Sequence, residues 1–247
     1  MSNSSLVDYT LISPNRTSPR NHVIDTITIH CVVGQCTVEA LGNVFAPESR
    51  RASSNYGIGY DGRIGMYVEE KDRSWCSGSA DNDNRAITIE VACDTYAPYA
   101  ITDAAYAALI DLCTDICVRN GIDQLRWEAD PDLIGQVDRQ NMTVHRWMQP
   151  TSCPGETLFN LHYQIADEVN QRLRGEHGIG VSGTNDGADT SEGGFDNVPA
   201  DWGKEAIQFA VQNGILFGDQ YGNYHLNDTC TRQQVLTFLY RYYKLLK

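Results

Sequence analysis

The sequence predicts an α/β fold, a central mixed β-sheet flanked by helices, followed by a small helical C-terminal domain. Three observations carry that expectation. Short runs of alternating or continuous apolar character are followed by longer stretches of helical spacing, the order of a sheet covered by helices. An Asp-Gly pair stands between two alternating runs, which marks a hairpin. Beyond residue 194 the pattern reads as helix, turn, helix.

The first strand is IDTITIHCVV, 24–33, where Ile27 and Ile29 share one face and Thr26, Thr28 and His30 the other, the pattern of a half-buried strand. In NYGIGYDGRIGMYVEE, 55–70, Asp61-Gly62 is the hairpin turn. RAITIEVACD, 85–94, is apolar apart from Thr88 and Glu90 and reads as a third, buried strand. In TDAAYAALIDLCTDICVRNG, Thr102 or Asp103 caps a helix, Tyr106, Leu109, Ile110, Cys113 and Cys117 keep helical spacing, and Gly121 stops it. NMTV, 141–144, is another short alternating run, and a last helix starts after Pro154 and runs to about Arg174.

A Gly-, Ser-, Thr- and Asp-rich stretch then interrupts the pattern and predicts a flexible linker. The expected organisation is a domain over 1–175, a linker over 176–194 and a second unit over 195–247. In that unit Pro199 and Asp201 open a first helix, Gly214 ends it, and Thr231 caps a second.

With 247 residues, 41% hydrophobic and 21% charged, the chain has the composition of a folded protein. Its net charge of −13 argues against nucleic acid and anionic membranes as partners. No apolar run reaches the roughly 18–20 residues of a membrane span. The N-terminus is polar and lacks an apolar core, which predicts no secretory signal and synthesis in the cytoplasm. The eight cysteines then read as reduced thiols; Cys93, Cys113 and Cys117 fall at apolar positions, and whether Cys31 and Cys36 pair stays open.

Three side chains can form a catalytic zinc site, which needs about three protein ligands and an open position for water. His30 stands at a strand end on its polar face, His145 follows the NMTV run, and Cys153 closes the next loop. If the two strands are neighbours, these side chains meet and Zn2+ lowers the pKa of water toward ~7. Glu90, mid-strand in an apolar setting, is the candidate general base. Spacing alone leaves a structural role open for each. His22, His162, His177 and His225 fall in loops or on helices and read as ordinary.

The segments TITIHCVV, SSNYGIGYDGRIGMYVEE, NRAITIEVA and HRWMQPTSCPG, in this order across about 26–174, resemble the zinc-dependent N-acetylmuramoyl-L-alanine amidases. That family includes phage endolysins and bacterial autolysins and is similar to peptidoglycan-recognition proteins. The resemblance implies a zinc at one end of the sheet, held by His30, His145 and Cys153, with Glu90 as the acidic residue beside it. It also implies peptidoglycan as substrate and hydrolysis of the amide between N-acetylmuramic acid and L-alanine of the stem peptide. Two positions depart from the family pattern. A catalytic tyrosine of some members aligns with Ser54, with Tyr56 close by, and a lysine two residues before the third ligand is Thr151 here. Thr151 is the candidate oxyanion partner, and Tyr56, Trp75, Asn84 and Arg85 are candidate groove residues.

From Phe195 onward the chain resembles an S-layer homology module, through Phe195, Asp196, Val198, Pro199, Trp202, Ala206, Ile207, Ala210, Gly214, Ile215, Thr231 and Arg232. The resemblance implies a role in binding secondary cell-wall polysaccharide, with Trp202 and Arg232 as contacts, or in self-association to a homo-oligomer. Such modules usually act as three copies and one is present. The combined expectation is an endolysin or autolysin acting at the bacterial wall, against the alternative of a non-catalytic peptidoglycan-binding protein of the same fold.

Overall fold

The computed structural model describes residues 2–175, 204–217, 224, 226 and 232–246. By contact the chain divides into two compact units, Met1–Glu176 and His177–Lys247. The expected linker, Pro199, Asp201, Trp202 and Thr231 lie outside the described residues.

In the first unit the strands are β1 (Tyr9–Thr10), β2 (Arg16–Thr17), β3 (Thr26–Val33), β4 (Tyr56–Ile58), β5 (Ile64–Met66), β6 (Arg73–Ser74), β7 (Ala86–Cys93) and β8 (Met142–Thr143). The helices are α1 (Val38–Phe45), α2 (Ala80–Arg85), α3 (Asp103–Asn120) and α4 (Gly155–Leu173). Six strands form one sheet in the order β1-β5-β4-β7-β3-β8, and β2 and β6 form a separate ribbon. β4, β7, β3 and β8 run parallel, while β5 is antiparallel to β4, so the sheet is mixed as expected. The β4–β5 hairpin turns at Gly62, whose φ of +82° suits a residue without Cβ. Thr102 caps α3 through a bond from the Ala105 amide, and α3 ends at Gly121 in the left-handed region.

Each face of the sheet has its own cover. Ile27 and Ile29 of β3 and Ile87, Ile89 and Val91 of β7 share one core with Leu109, Cys113 and Ile116 of α3 and Leu158, Ile165 and Val169 of α4. On the other face the register sets Thr28 beside Thr88 and His30 beside Glu90. Gly57 of β4 is in register with Glu90, and Leu41 of α1 crowds the space its Cβ would take. α2 covers the same face through Asn82, whose amide bonds Thr28. The expectation of a half-buried β3 is therefore corrected: Thr26 to His30 are buried on both faces, because a parallel stretch with cover on both sides has no solvated face.

All seven described cysteines, including Cys31 and Cys36, carry free thiols. In the second unit α5 (Lys204–Gln212) and α6 (Arg232–Leu245) are helical. Gly214 turns at φ +63°, Ile215 and Leu216 are buried, and the Arg241 guanidinium lies 4.5 Å from the Phe217 ring centre. Among the described residues no helix is long and apolar enough to cross a membrane.

Candidate metal centre

The parallel pairing of β3 with β8 brings His30 to the place where the chain leaves β8, and a tight turn there carries His145. The following loop returns to the same point, closed by the Arg146 amide donating to the Cys153 carbonyl at 3.0 Å. Arg146 clasps that loop further, with Nη2 on the Ser152 carbonyl at 3.1 Å and Nη1 on Glu156 at 2.6 Å. Donor atoms of His30, His145 and Cys153 all lie within 4.8 Å of one another. The two imidazole centres are 5.0 Å apart, and Cys153 Sγ is 3.6 Å from His30 Nδ1.

This donor set fits zinc. Zn–N near 2.05 Å and Zn–S near 2.3 Å at a tetrahedral angle put nitrogen and sulfur roughly 3.6 Å apart, the separation found between His30 and Cys153. Two imidazoles and a thiol are donors zinc accepts, and three ligands leave a corner open.

The electrostatics keep the imidazoles ready to bind. Burial, reinforced by His145, lowers the His30 pKa to about 3, and burial lowers that of His145. Both are neutral, as a ligand must be. The Cys31 amide donates to Cys153 Sγ at 3.4 Å, a bond that favours thiolate at that sulfur. A shared hydrogen bond with the Cys31 thiol, and then burial, hold the Cys153 pKa up, while the same bond, with one from Cys93, pulls the Cys31 pKa down.

Glu90 stands next to His30 across the β3–β7 register. Its Oε1 meets the Cys76 thiol at 3.7 Å, while its Oε2, like His30 Nε2, is buried with no partner. Burial, and then the neighbouring Cys31, raise the Glu90 pKa to about 8. A carboxyl poised near neutrality beside a candidate ligand imidazole is suited to accept and return a proton.

The other candidates fall in different places. Thr151 is exposed on the Cys153 loop, where its hydroxyl accepts from the Cys153 amide at 3.2 Å and keeps its own proton to donate. Trp75, one residue from Cys76, is partly exposed and donates its Nε1–H to Thr17 at 2.9 Å. Tyr56 is fully buried, and its hydroxyl donates to Glu70 at 2.7 Å and accepts the Ser4 amide at 2.9 Å. That removes it from a substrate-facing role. Ser54 is buried as well. Asn84 bonds the Ala80 carbonyl at 2.9 Å, and Arg85 forks onto Asp25 at 3.0 and 2.6 Å. Both precede β7, five residues and roughly 16 Å of strand from Glu90 in the case of Arg85. They brace the far end of the sheet, so the groove expectation for these two is corrected.

Sequence reading passed over Cys76, Asn82 and Asp83. Asn82 joins Thr28 of β3 to Thr143 of β8, with bonds of 3.0 and 2.9 Å. Asp83 is buried and accepts the amides of Cys76 and Ser77 at 3.0 and 3.2 Å. The one signal for these residues was the Ser79 cap ahead of α2.

A family model described as N-acetylmuramoyl-L-alanine amidase matches residues 20–156. Among solved structures, a selenomethionine AmpD derivative is 21% identical with a TM-score of 0.45, over 62% of this chain and 89% of that one. The endolysin amidase LysCS of Clostridium intestinale is 18% identical at 0.43, over 61% and 85%. Drosophila peptidoglycan recognition protein SD is 17% identical at 0.45, over 64% and 94%. No curated protein sequence matches the chain.

Proposed function

The chain belongs to the N-acetylmuramoyl-L-alanine amidase family, and from that premise we propose that it is a zinc-dependent peptidoglycan hydrolase cutting the amide between N-acetylmuramic acid and L-alanine of the stem peptide. His30, His145 and Cys153 would hold the ion. Bound there, Zn2+ supplies the Lewis acidity that polarises the scissile carbonyl and acidifies water. Glu90 takes the proton of the attacking water on a carboxylate oxygen and passes it to the departing alanine nitrogen. The Thr151 hydroxyl, free to donate from the rim, steadies charge developing on the carbonyl oxygen. Trp75, partly exposed beside Cys76, is the remaining groove candidate.

The observation that carries this reading is the meeting of two neutral imidazoles and a thiol with a carboxyl that keeps one buried oxygen uncommitted. A non-catalytic peptidoglycan binder has no need of the third ligand, and Cys153 is in place. Turbidity loss of purified cell walls, followed with and without a chelator, tests the reading together with identification of the new amino terminus. We expect L-alanine amino groups to appear and chelation to abolish their release. Unchanged cleavage after complete zinc removal overturns the mechanism.

For 195–247 the reading is a wall-targeting module. Arg232, exposed at the start of α6, is the contact for an anionic sugar, and Trp202 is the second candidate contact. Leu236, Leu239 and Tyr240 are exposed on α6 and offer a surface for self-association. Deleting 195–247 is expected to weaken binding to walls while a soluble muropeptide is still cut; equal wall binding removes the targeting role. An endolysin and an autolysin both fit this arrangement, acting at the wall.

A further inference from the structure

We propose that Cys76 is a positioning residue for Glu90: its thiol holds Oε1, so that Oε2 is the oxygen left to work on the substrate. The proposal rests on the reading of Glu90 as proton carrier. Its basis is geometric. The thiol donates to Oε1 at 3.7 Å, within reach of an S–H donor. Oε2 is buried with no partner. One oxygen is tethered and the other is open.

The tether has its own anchor. Cys76 and Ser77 donate their amides to the buried Asp83 carboxylate. Gly78 passes so close to Gln149 that a Cβ there would meet Gln149 Cγ at 2.7 Å, so this turn abuts the loop that carries Cys153. The residue before Asp83 is Asn82, which bonds both Thr28 and Thr143. A single short helix thus ties the Cys76 turn to the two strands that lead to His30 and His145. Cys76 is held relative to the ligands, and through it Glu90 is held too. A cysteine packed only for its volume would not need its amide fixed by a buried charge, nor its sulfur aimed at a carboxyl.

The test uses the full-length, zinc-loaded protein and a soluble N-acetylmuramoyl-peptide, with kcat, KM and bound zinc measured for each variant. Cys76→Ala is expected to lower kcat roughly tenfold with KM and zinc content unchanged, the loss of one hydrogen bond to a charged group. Cys76→Ser, which keeps a donor, is expected to recover most of that loss. Should Cys76→Ala not fold, Cys76→Val, filling the volume without a donor, replaces it. In a Glu90→Gln background the Cys76 substitution should cost nothing further. An equal fall in that background, or a Cys76→Ser variant as slow as Cys76→Ala, overturns the proposal. A Glu90→Gln enzyme with full kcat removes Glu90 from the chemistry, and Cys76 with it; that failure shows in the single Glu90 variant alone.

Discussion

Two neighbouring rows of side chains cross the same face of the sheet and are treated in opposite ways. In the first, Thr88, Thr28 and Thr143 are buried and closed on each other. The Thr28 and Thr143 hydroxyls are 2.7 Å apart, Asn82 bonds both, and Thr88 is met by Ser74 at 2.7 Å and by the Asn55 amide at 3.0 Å. One step along the strands, His30 and Glu90 are set side by side, and each keeps a buried polar atom without a partner. A buried polar atom left unpaired costs about 1–3 kcal/mol, and the chain shows in the adjacent row that it can satisfy such atoms. The difference separates two uses of the same face: the closed row fixes where the strands lie, and the open row keeps His30 Nε2 and Glu90 Oε2 uncommitted.

That contrast can be broken by substitution, and the largest effect is expected at the open row. Glu90→Gln should lower kcat roughly 100- to 10,000-fold, the usual worth of a positioned acid–base group, with zinc content unchanged. Retained activity in a folded, metal-loaded variant would place Glu90 with the supporting residues.

The next effect sharpens the comparison by taking an unpaired group away from the site. His162 Nδ1–H donates to the Leu158 carbonyl at 2.7 Å, which leaves Nε2 as the bare nitrogen, buried and unpartnered, with the ring 4.4 Å from Trp127. Burial lowers its pKa from 6.5 to about 4. A depressed folded-state pKa means the neutral form is favoured by folding, so its contribution is complete above pH 6.5 and is lost as pH falls through 4. Between pH 7 and pH 4 this amounts to about 3 kcal/mol. Urea unfolding across that range should show His162→Leu losing less stability than the parent by that amount. Parallel curves would mean the imidazole escapes its burial on protonation.

The smallest effect belongs to the closed row. Thr28→Val keeps the shape but strands the Asn82 amide N–H that donates to Thr28, and should cost about 1–3 kcal/mol in unfolding free energy. Cleavage per folded molecule should hold. A loss of activity larger than the loss of folded protein would show that the row tunes the site as well as the strands.

Much of this was legible in the chain itself. Asp61-Gly62 announced the β4–β5 hairpin, Thr102 and Gly121 bracketed α3, and the ordered segments around His30, Glu90, His145 and Cys153 pointed to one site. These signals are local in chemistry: a turn needs its glycine, a helix its cap, an ion its donors. What resisted reading was the company each side chain keeps. Tyr56 stood close to an expected catalytic position, yet its hydroxyl is spent on Glu70. Asn84 and Arg85 looked like groove polar residues and instead brace the entry of β7. Cys76 carried no spacing signal, since its partner lies 14 residues away on β7.

The sequence by itself determined the alternation of strands and helices, because residue type and period set these directly, and its family resemblance singled out His30, His145, Cys153 and Glu90 as candidates. Only the tertiary structure decided which polar groups are closed off and which stay open. That choice depends on register between strands and on what covers the sheet, as the β3–β7 pairing sets His30 beside Glu90 and α2 seals the row next to them. Distances between side chains far apart in the chain come into being only when the sheet is assembled.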